Sequence, residues 1–248
     1  MLILRLLLCG LFLWGGCAEA FQVQSRPCPG FISSASTIVF STSFEGSIAS
    51  QVYTKSGDEC PNTGTGTLSA PDIETSVTYS EEGGNSLRSV STNDSTIIFS
   101  LPENTLNGSG RVGFWVRYQT QDVYMSMIRL YNSSNNYGIQ IKIDSTFAKP
   151  VVIWEAGSWI VSDTSSVSIS NDLFTFIEFS WDQSNNTFNA WINGTNVIND
   201  TSKTLGIISS ALDTIKLTMR VGAYYDNIIV SSDKNEDLYA ISNQNACE

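Results

Sequence analysis

Apolar residues recur at every second position along most of this chain, the period that a half-buried antiparallel sheet requires. Val112, Phe114, Val116 and Tyr118 alternate with Gly113, Trp115 and Arg117. The same alternation runs through Ile139, Ile141 and Ile143, through Ile177, Phe179 and Trp181, and through Phe188, Ala190 and Ile192. It returns at Ile215, Leu217, Met219 and Val221. Shorter runs at Thr37 to Phe44, Ser86 to Val90, Thr96 to Leu101 and Ile228 to Val230 fit the same pattern. Many short strands without a long amphipathic helix predict an all-β chain, folded as a two-sheet antiparallel sandwich. A helical turn is expected near Ser209 to Asp213. Gly57 to Pro71, rich in Gly, Thr, Pro and Asn, reads as a long loop.

One hairpin can be registered from pattern alone. Pairing Trp181 with Phe188, Phe179 with Ala190 and Ile177 with Ile192 puts every apolar partner on one face. Glu178 then lies across from Trp191, and Phe176 across from Asn193. A one-residue slip would bury Glu178 and Asn189, so this register is strongly preferred.

The first residues predict export. Arg5 precedes the apolar run Leu6 to Trp14, and Ala18-Glu19-Ala20 has the small-x-small form of a cleavage site. Residues 1–20 read as a signal peptide, 21–36 as a lead-in with Pro27, Pro29 and Gly30, 37–232 as the sandwich, and 233–248 as a C-terminal tail. The apolar run is too short to span a bilayer. Gly15-Gly16-Cys17 offers a lipoprotein anchor through Cys17 as the alternative. Either way the expected place is secreted, extracellular or on the cell surface. Beyond residue 20 three cysteines remain, Cys28, Cys60 and Cys247. Cys28 with Cys60 is the first pairing and Cys28 with Cys247 its rival, each leaving one thiol for a cross-link to another chain. Asn-x-Ser/Thr sequons stand at Asn93, Asn107, Asn132, Asn185, Asn193 and Asn199. They are glycan sites if the source glycosylates, and chance products of an Asn/Ser/Thr-rich chain if not.

Composition removes whole classes of chemistry. The net charge of −11 disfavours nucleic-acid binding, which needs a basic field. There is no histidine. That removes Ser-His-Asp and Cys-His nucleophile systems in their usual form, and imidazole metal sites.

The residues on the polar side of the strands form the first candidate site: Trp115, Arg117, Arg129, Gln140, Lys142, Glu178, Trp191 and Arg220. If their strands make one sheet, that face mixes aromatic plates with long hydrogen-bonding side chains, which suits sugars. Basic residues concentrate there (Arg117, Arg129, Lys142, Lys216 and Arg220), hinting at an anionic glycan or carboxylate-bearing partner. An ordinary solvated face, or Trp packed under a loop, is the competing reading. Loop aromatics form a second set: Trp154, Trp159, Tyr131, Tyr137, Tyr224 and Tyr225, with Trp159 the expected ligand-facing ring.

Several motifs occur in a telling order. Phe44-Glu45-Gly46 comes first, then Gly83-Gly84-Asn85-Ser86-Leu87-Arg88 and Gly113-Phe114-Trp115-Val116-Arg117. Phe174 to Asp182, Ala190 to Gly194 and Tyr225 to Ser231 follow. In this the chain resembles the concanavalin A-like lectin/glucanase superfamily, and within it the laminin G-like jelly-roll modules, over roughly residues 37–232. The resemblance implies a jelly roll of two antiparallel sheets that binds glycans or extracellular proteins. It also implies a structural Ca²⁺ held by Glu45 and Asp226, on neighbouring first and last strands. Glucanases of the superfamily carry Glu-x-Asp-x-Glu on one strand, but here Glu178-Phe-Ser-Trp-Asp182 puts Ser180 at the central acid. The expected function is therefore a secreted, non-catalytic module binding carbohydrate or another surface ligand. A structural or adhesive subunit of a cell-surface assembly, and a divergent glycan-cleaving enzyme, are the alternatives.

Overall fold

The computed structural model describes residues 37–42, 52–54, 65–68, 73–76, 86–90, 95–101, 106–119, 127–134, 138–144, 149–155, 159–164, 167, 169–170, 172–185, 187–200, 211–219 and 221–246. In chain order the strands are β1 (Ile38–Thr42), β2 (Val52–Thr54), β3 (Thr65–Leu68), β4 (Ile73–Ser76), β5 (Ser86–Ser89), β6 (Ser95–Ser100), β7 (Ser109–Tyr118) and β8 (Met127–Tyr131). After them come β9 (Gly138–Asp144), β10 (Lys149–Glu155), β11 (Trp159–Thr164), β12 (Thr175–Asp182), β13 (Thr187–Ile192), β14 (Thr195–Asp200), β15 (Thr214–Met219) and β16 (Ala223–Ser231). A helix, α1 (Leu238–Ala246), follows.

The strands form two eight-stranded antiparallel sheets, so the chain is an all-β sandwich. The first sheet runs β14-β13-β12-β7-β16-β5-β4, with β1 also on β16. The second runs β11-β10-β9-β8-β15-β6-β3-β2. The alternating apolar residues meet between them. Val112, Phe114, Ile177, Phe179 and Trp181 of the first sheet share one buried cluster with Phe99, Ile128, Ile139, Ile215 and Leu217 of the second. Each fully buried side chain of this size stabilises by about 1.5–3 kcal/mol, which is why the register is fixed so firmly. The β12–β13 hairpin pairs Trp181 with Phe188, Phe179 with Ala190 and Ile177 with Ile192, as the pattern predicts. It also sets Glu178 opposite Trp191.

Three segments depart from the sequence reading. The stretch 57–71 contains β3, which pairs with β2 and β6 through its backbone. At the expected helical turn, Leu212 instead bridges Leu106. Residues 233–248, read as a tail, carry α1. Asp237 caps it, its Oδ1 accepting the Ala240 amide at 2.9 Å. α1 closes a second apolar cluster of Trp115, Phe176, Ile229 and Leu238 on the outer side of the first sheet.

Candidate functional site

The candidate ligand residues do not share one face. Trp115 and Arg117 stand on β7, Glu178 on β12 and Trp191 on β13, all in the first sheet. Arg129 stands on β8 and Gln140 and Lys142 on β9, in the second. In each strand the residues between them point into the shared core. The two groups therefore lie on opposite outer faces of the sandwich, which corrects the expectation of a single ligand face. Alternation tells which residues share one side of a strand. It does not tell which of two sheets the strand joins.

The outer face of the first sheet is largely closed. Trp115 is 5% exposed, its ring edge-on to Phe176 at 5.1 Å. Its Nε1 donates to Ser242 Oγ of α1 at 2.6 Å. Phe176 lies across Gly113, where an added Cβ would meet its ring at 2.7 Å. Asn227 also donates from Nδ2 to Ser242 Oγ, at 3.2 Å. Glu178 is 0% exposed. Its Oε1 accepts from Arg111 Nη2 at 2.9 Å and from the Tyr239 amide of α1 at 3.1 Å. Arg111 in turn stacks over the half-buried Trp191 ring at 4.0 Å. Burial pushes the Glu178 carboxyl above its usual range, and the Arg111 guanidinium pulls it back only in part. Arg111 was absent from the sequence reading, although it has the same parity on β7 as Trp115. Arg117 is held beside them, donating to the Asp172 carbonyl at 2.9 Å and to its Oδ1 at 3.2 Å.

At the end of β12, Asp182 organises the hairpin loop. Its Oδ1 accepts from the Ser184 amide at 2.9 Å and the Ser184 hydroxyl at 2.6 Å. Its Oδ2 accepts from Asn185 Nδ2 at 2.6 Å and pairs with Lys234. Burial alone would raise this carboxyl, but the donors outweigh it and hold it well below the ordinary carboxylate range.

The outer face of the second sheet is built differently. Three cross-strand rows can be followed through the register. Lys216, Arg129, Gln140 and Ile153 form the central row, on β15, β8, β9 and β10. Thr218, Met127, Lys142 and Val151 form the row on one side. Thr214, Tyr131, Gly138, Glu155 and Trp159 form the row on the other. Arg129 stacks on the Tyr131 ring at 4.8 Å. Tyr131, read as a loop aromatic, thus ends β8. Gln140 is 1% exposed, and among the described residues neither its Oε1 nor its Nε2 has a hydrogen-bond partner. A buried donor or acceptor left unpaired costs about 1–3 kcal/mol, so this amide is an energetic exception within a well-packed sheet.

Of the other candidates, Trp159 begins β11 opposite Glu155, with its side chain outside the described residues. Arg220, Glu45, Cys28, Cys60, Cys247, Cys17 and Asn93 also lie outside the described residues. β1 does neighbour β16, with Thr42 paired to Ile228. Asp226 is fully buried, its Oδ1 accepting the Asn227 amide at 2.8 Å. Among the described residues no three His, Cys, Asp or Glu gather in one place. One carboxylate falls short of the six to eight oxygens that Ca²⁺ takes, so the described donors do not by themselves fit the metal. Asn107, Asn185, Asn193 and Asn199 are exposed. Asn193 and Gly194 have φ of 47° and 74°, the type I′ turn that joins β13 to β14. Asn132 is buried, its Nδ2 donating to the Ala211 carbonyl at 2.7 Å. Among the described residues no helix is long and apolar enough to cross a membrane.

No protein-family model and no curated sequence matches this chain. Solved structures share its fold. One is domain 4 of a GH43 extracellular arabinanase from Geobacillus stearothermophilus, in complex with arabinotriose. It is 13% identical, with a TM-score of 0.54 over 85% of this chain and 98% of that one. A second is the receptor binding domain of botulinum neurotoxin mosaic serotype C/D, 14% identical, with a TM-score of 0.60 over 84% of this chain and 51% of that one. A third is the binding domain of Paraclostridial Mosquitocidal Protein 1, 15% identical, with a TM-score of 0.58 over 84% and 52%. This chain thus spans about half the length of each toxin domain.

Proposed function

We propose that this chain is a secreted, non-catalytic module of laminin G-like kinship that binds carbohydrate on the outer face of its second sheet. The observation that carries the proposal is Gln140, a buried amide with donor and acceptor both unpaired, beside Arg129 and Lys142. A sugar hydroxyl both donates and accepts, so it supplies what a primary amide lacks. Tyr131 stands on the same face, one side of its ring stacked by Arg129 and the ring half-buried. The opposite outer face is the weaker site, because α1 and the Arg111–Glu178 pair consume its aromatic and polar groups. The shared fold with an arabinanase domain in complex with arabinotriose supports the ligand class.

Two features support the non-catalytic reading. Ser180 stands where the glucanases of the superfamily carry the central acid of Glu-x-Asp-x-Glu. Glu178 and Asp182, on either side of it, are each engaged by a cation, Arg111 and Lys234.

The test is a glycan array with the full chain and three variants. Wild type is expected to bind a subset of glycans. Gln140→Ala and Tyr131→Ala should lose that binding, and Trp191→Ala should keep it. A folded wild type silent across the array sinks the proposal. Binding lost in Trp191→Ala and kept in Gln140→Ala moves the site to the other face.

A further inference from the structure

We propose that α1 is an acid-tightened clasp on the first sheet, closed firmly over Glu178 in mildly acidic surroundings and loosened at neutral pH. The inference does not depend on carbohydrate binding, since it concerns the opposite outer face.

α1 is held by its contacts rather than by itself. It has nine residues, and an isolated helix shorter than about 12–15 residues is marginal in water. Its Asn, Gln and Ser residues add little helix propensity. A small set of contacts on the sheet supports it. Leu238 is fully buried in one cluster with Trp115 and Phe176. The Tyr239 ring lies on Phe176 at 5.6 Å. Ser242 Oγ accepts from Trp115 Nε1 at 2.6 Å. Among the described residues no strand pairs with α1, so it can leave without breaking either sheet. The chain is anchored just before it, where Lys234 pairs with Asp182 and Glu236 Oε2 accepts from Thr37 Oγ at 2.6 Å. A short helix with few contacts and a fixed base is the kind of unit that opens locally, at a free energy below that of global unfolding.

The first turn of the helix lies over the Glu178 carboxyl. The Tyr239 amide donates to Oε1 at 3.1 Å, and Oε1 also accepts from Arg111. Oε2 is buried with no hydrogen-bond partner among the described residues. The Arg111–Glu178 pair joins β7 to β12 inside the sheet, so it survives release of α1. Release changes the access of water to Oε2. Shut from water with one oxygen unpaired, an ionised carboxylate loses more than a neutral carboxyl does. Docking of α1 therefore favours the protonated form.

The charges around Glu178 fix the sign. Burial raises its carboxyl above 4.5. Arg111, from β7, favours ionisation but does not offset the burial. Asp237, from the segment that caps α1, opposes ionisation. Tyr239 meets the carboxyl through its backbone amide, and Trp191, across from it on β13, is neutral. With α1 away the carboxyl stands in water and titrates near its ordinary value. Docking is then strongest below about 4.5 and weakens as pH rises through the raised value. Released, α1 uncovers Trp115 and Phe176.

The experiment is hydrogen exchange of the full chain at about pH 4.5 and about pH 7.5, with each amide's rate divided by its intrinsic rate at that pH. Protection of the α1 amides is expected to fall about tenfold toward the higher pH, the scale of one buried group left without a partner. The amides of β7 and β12 should keep theirs. Glu178→Gln, neutral at every pH, should hold α1 equally at both. Asp237→Asn keeps a capping side chain and removes a negative charge near Glu178, so the fall should move to lower pH. This second variant leaves Arg111 its counter-ion, and it decides the question if Glu178→Gln does not fold. Equal protection of α1 at both pH values in the wild type overturns the proposal. So does a fall that persists in Glu178→Gln, one that stays in place in Asp237→Asn, or one shared by β7 and β12.

Discussion

The two outer faces of the sandwich carry similar residue types and treat them in opposite ways. On the first sheet Arg111 pairs with Glu178 and Arg117 with Asp172, and Trp115 and Phe176 lie under α1, while Glu178 Oε2 has no hydrogen-bond partner among the described residues. On the second sheet a buried amide is unpaired and two cations face each other. Native structures satisfy nearly all buried polar groups, and the first face departs from that at one oxygen of an otherwise paired carboxyl. The second departs from it at both polar atoms of the Gln140 amide. The manner of satisfaction, ion pairs on one face and an unpaired amide on the other, therefore distinguishes the two faces where residue type does not.

The largest way to break this comparison is at Glu178. Glu178→Ala leaves Arg111 buried without its counter-ion, and removing one partner of such a pair costs about 3–5 kcal/mol. Urea unfolding of wild type and variant measures it, and a loss below about 1 kcal/mol would mean that the first face is not sealed. Leu238→Ala comes next. Leu238 is fully buried between α1 and the sheet, and deleting such a side chain costs about 2–4 kcal/mol. Neither variant should change ligand binding by the second face.

Asp182→Asn is expected to cost about 1–2 kcal/mol, through the hairpin loop and Lys234, and it carries a pH signature. The folded state holds Asp182 below its ordinary value of 3.8, so its contribution is present above that value and is lost as pH falls further. Glu178 works in the opposite sense. Its folded carboxyl is raised above 4.5, so the stability it supports is full below that value and declines as pH rises through the raised one. Stability followed from pH 7 downward should therefore fall less steeply at the acid end in Asp182→Asn. In Glu178→Gln it should lose the decline above about pH 4.5. The same slopes in wild type and both variants would remove these two carboxyls from the pH response.

The sequence showed strands more clearly than it showed sheets. The β12–β13 register was legible because a slip would bury Glu178 without Arg111 or α1 to meet it. Trp115 and Gln140 look equivalent in an alternating pattern, yet long-range pairing puts β7 beside β12 and β9 beside β8. Local period carries no information on that choice. α1 was hidden for another reason. Its segment, rich in Asn, Gln and Ser, has weak helix propensity, and tertiary contacts of Leu238 and Tyr239 stabilise it instead. The Asp237 cap and the three-residue spacing of Leu238 and Ile241 were the available signals. β3 escaped because a short strand of Thr and Gly is recruited through its backbone by β6.

The smallest expected effect is the sharpest discriminator. Gln140→Met keeps the length of the side chain and removes both unpaired polar atoms. If Gln140 served packing alone, Met would be neutral for stability and irrelevant to any ligand. If the amide is retained for a ligand, its unpaired state costs the free protein stability, and Met should return about 1 kcal/mol. Binding should fall in the same variant. A gain in stability accompanied by a loss of binding is the signature of a residue selected for function against folding. Chemical denaturation and glycan binding, measured on one preparation of Gln140→Met, give both numbers. A stability loss would mean that the amide has a partner in solution. The contrast between the two faces would then lose its main support.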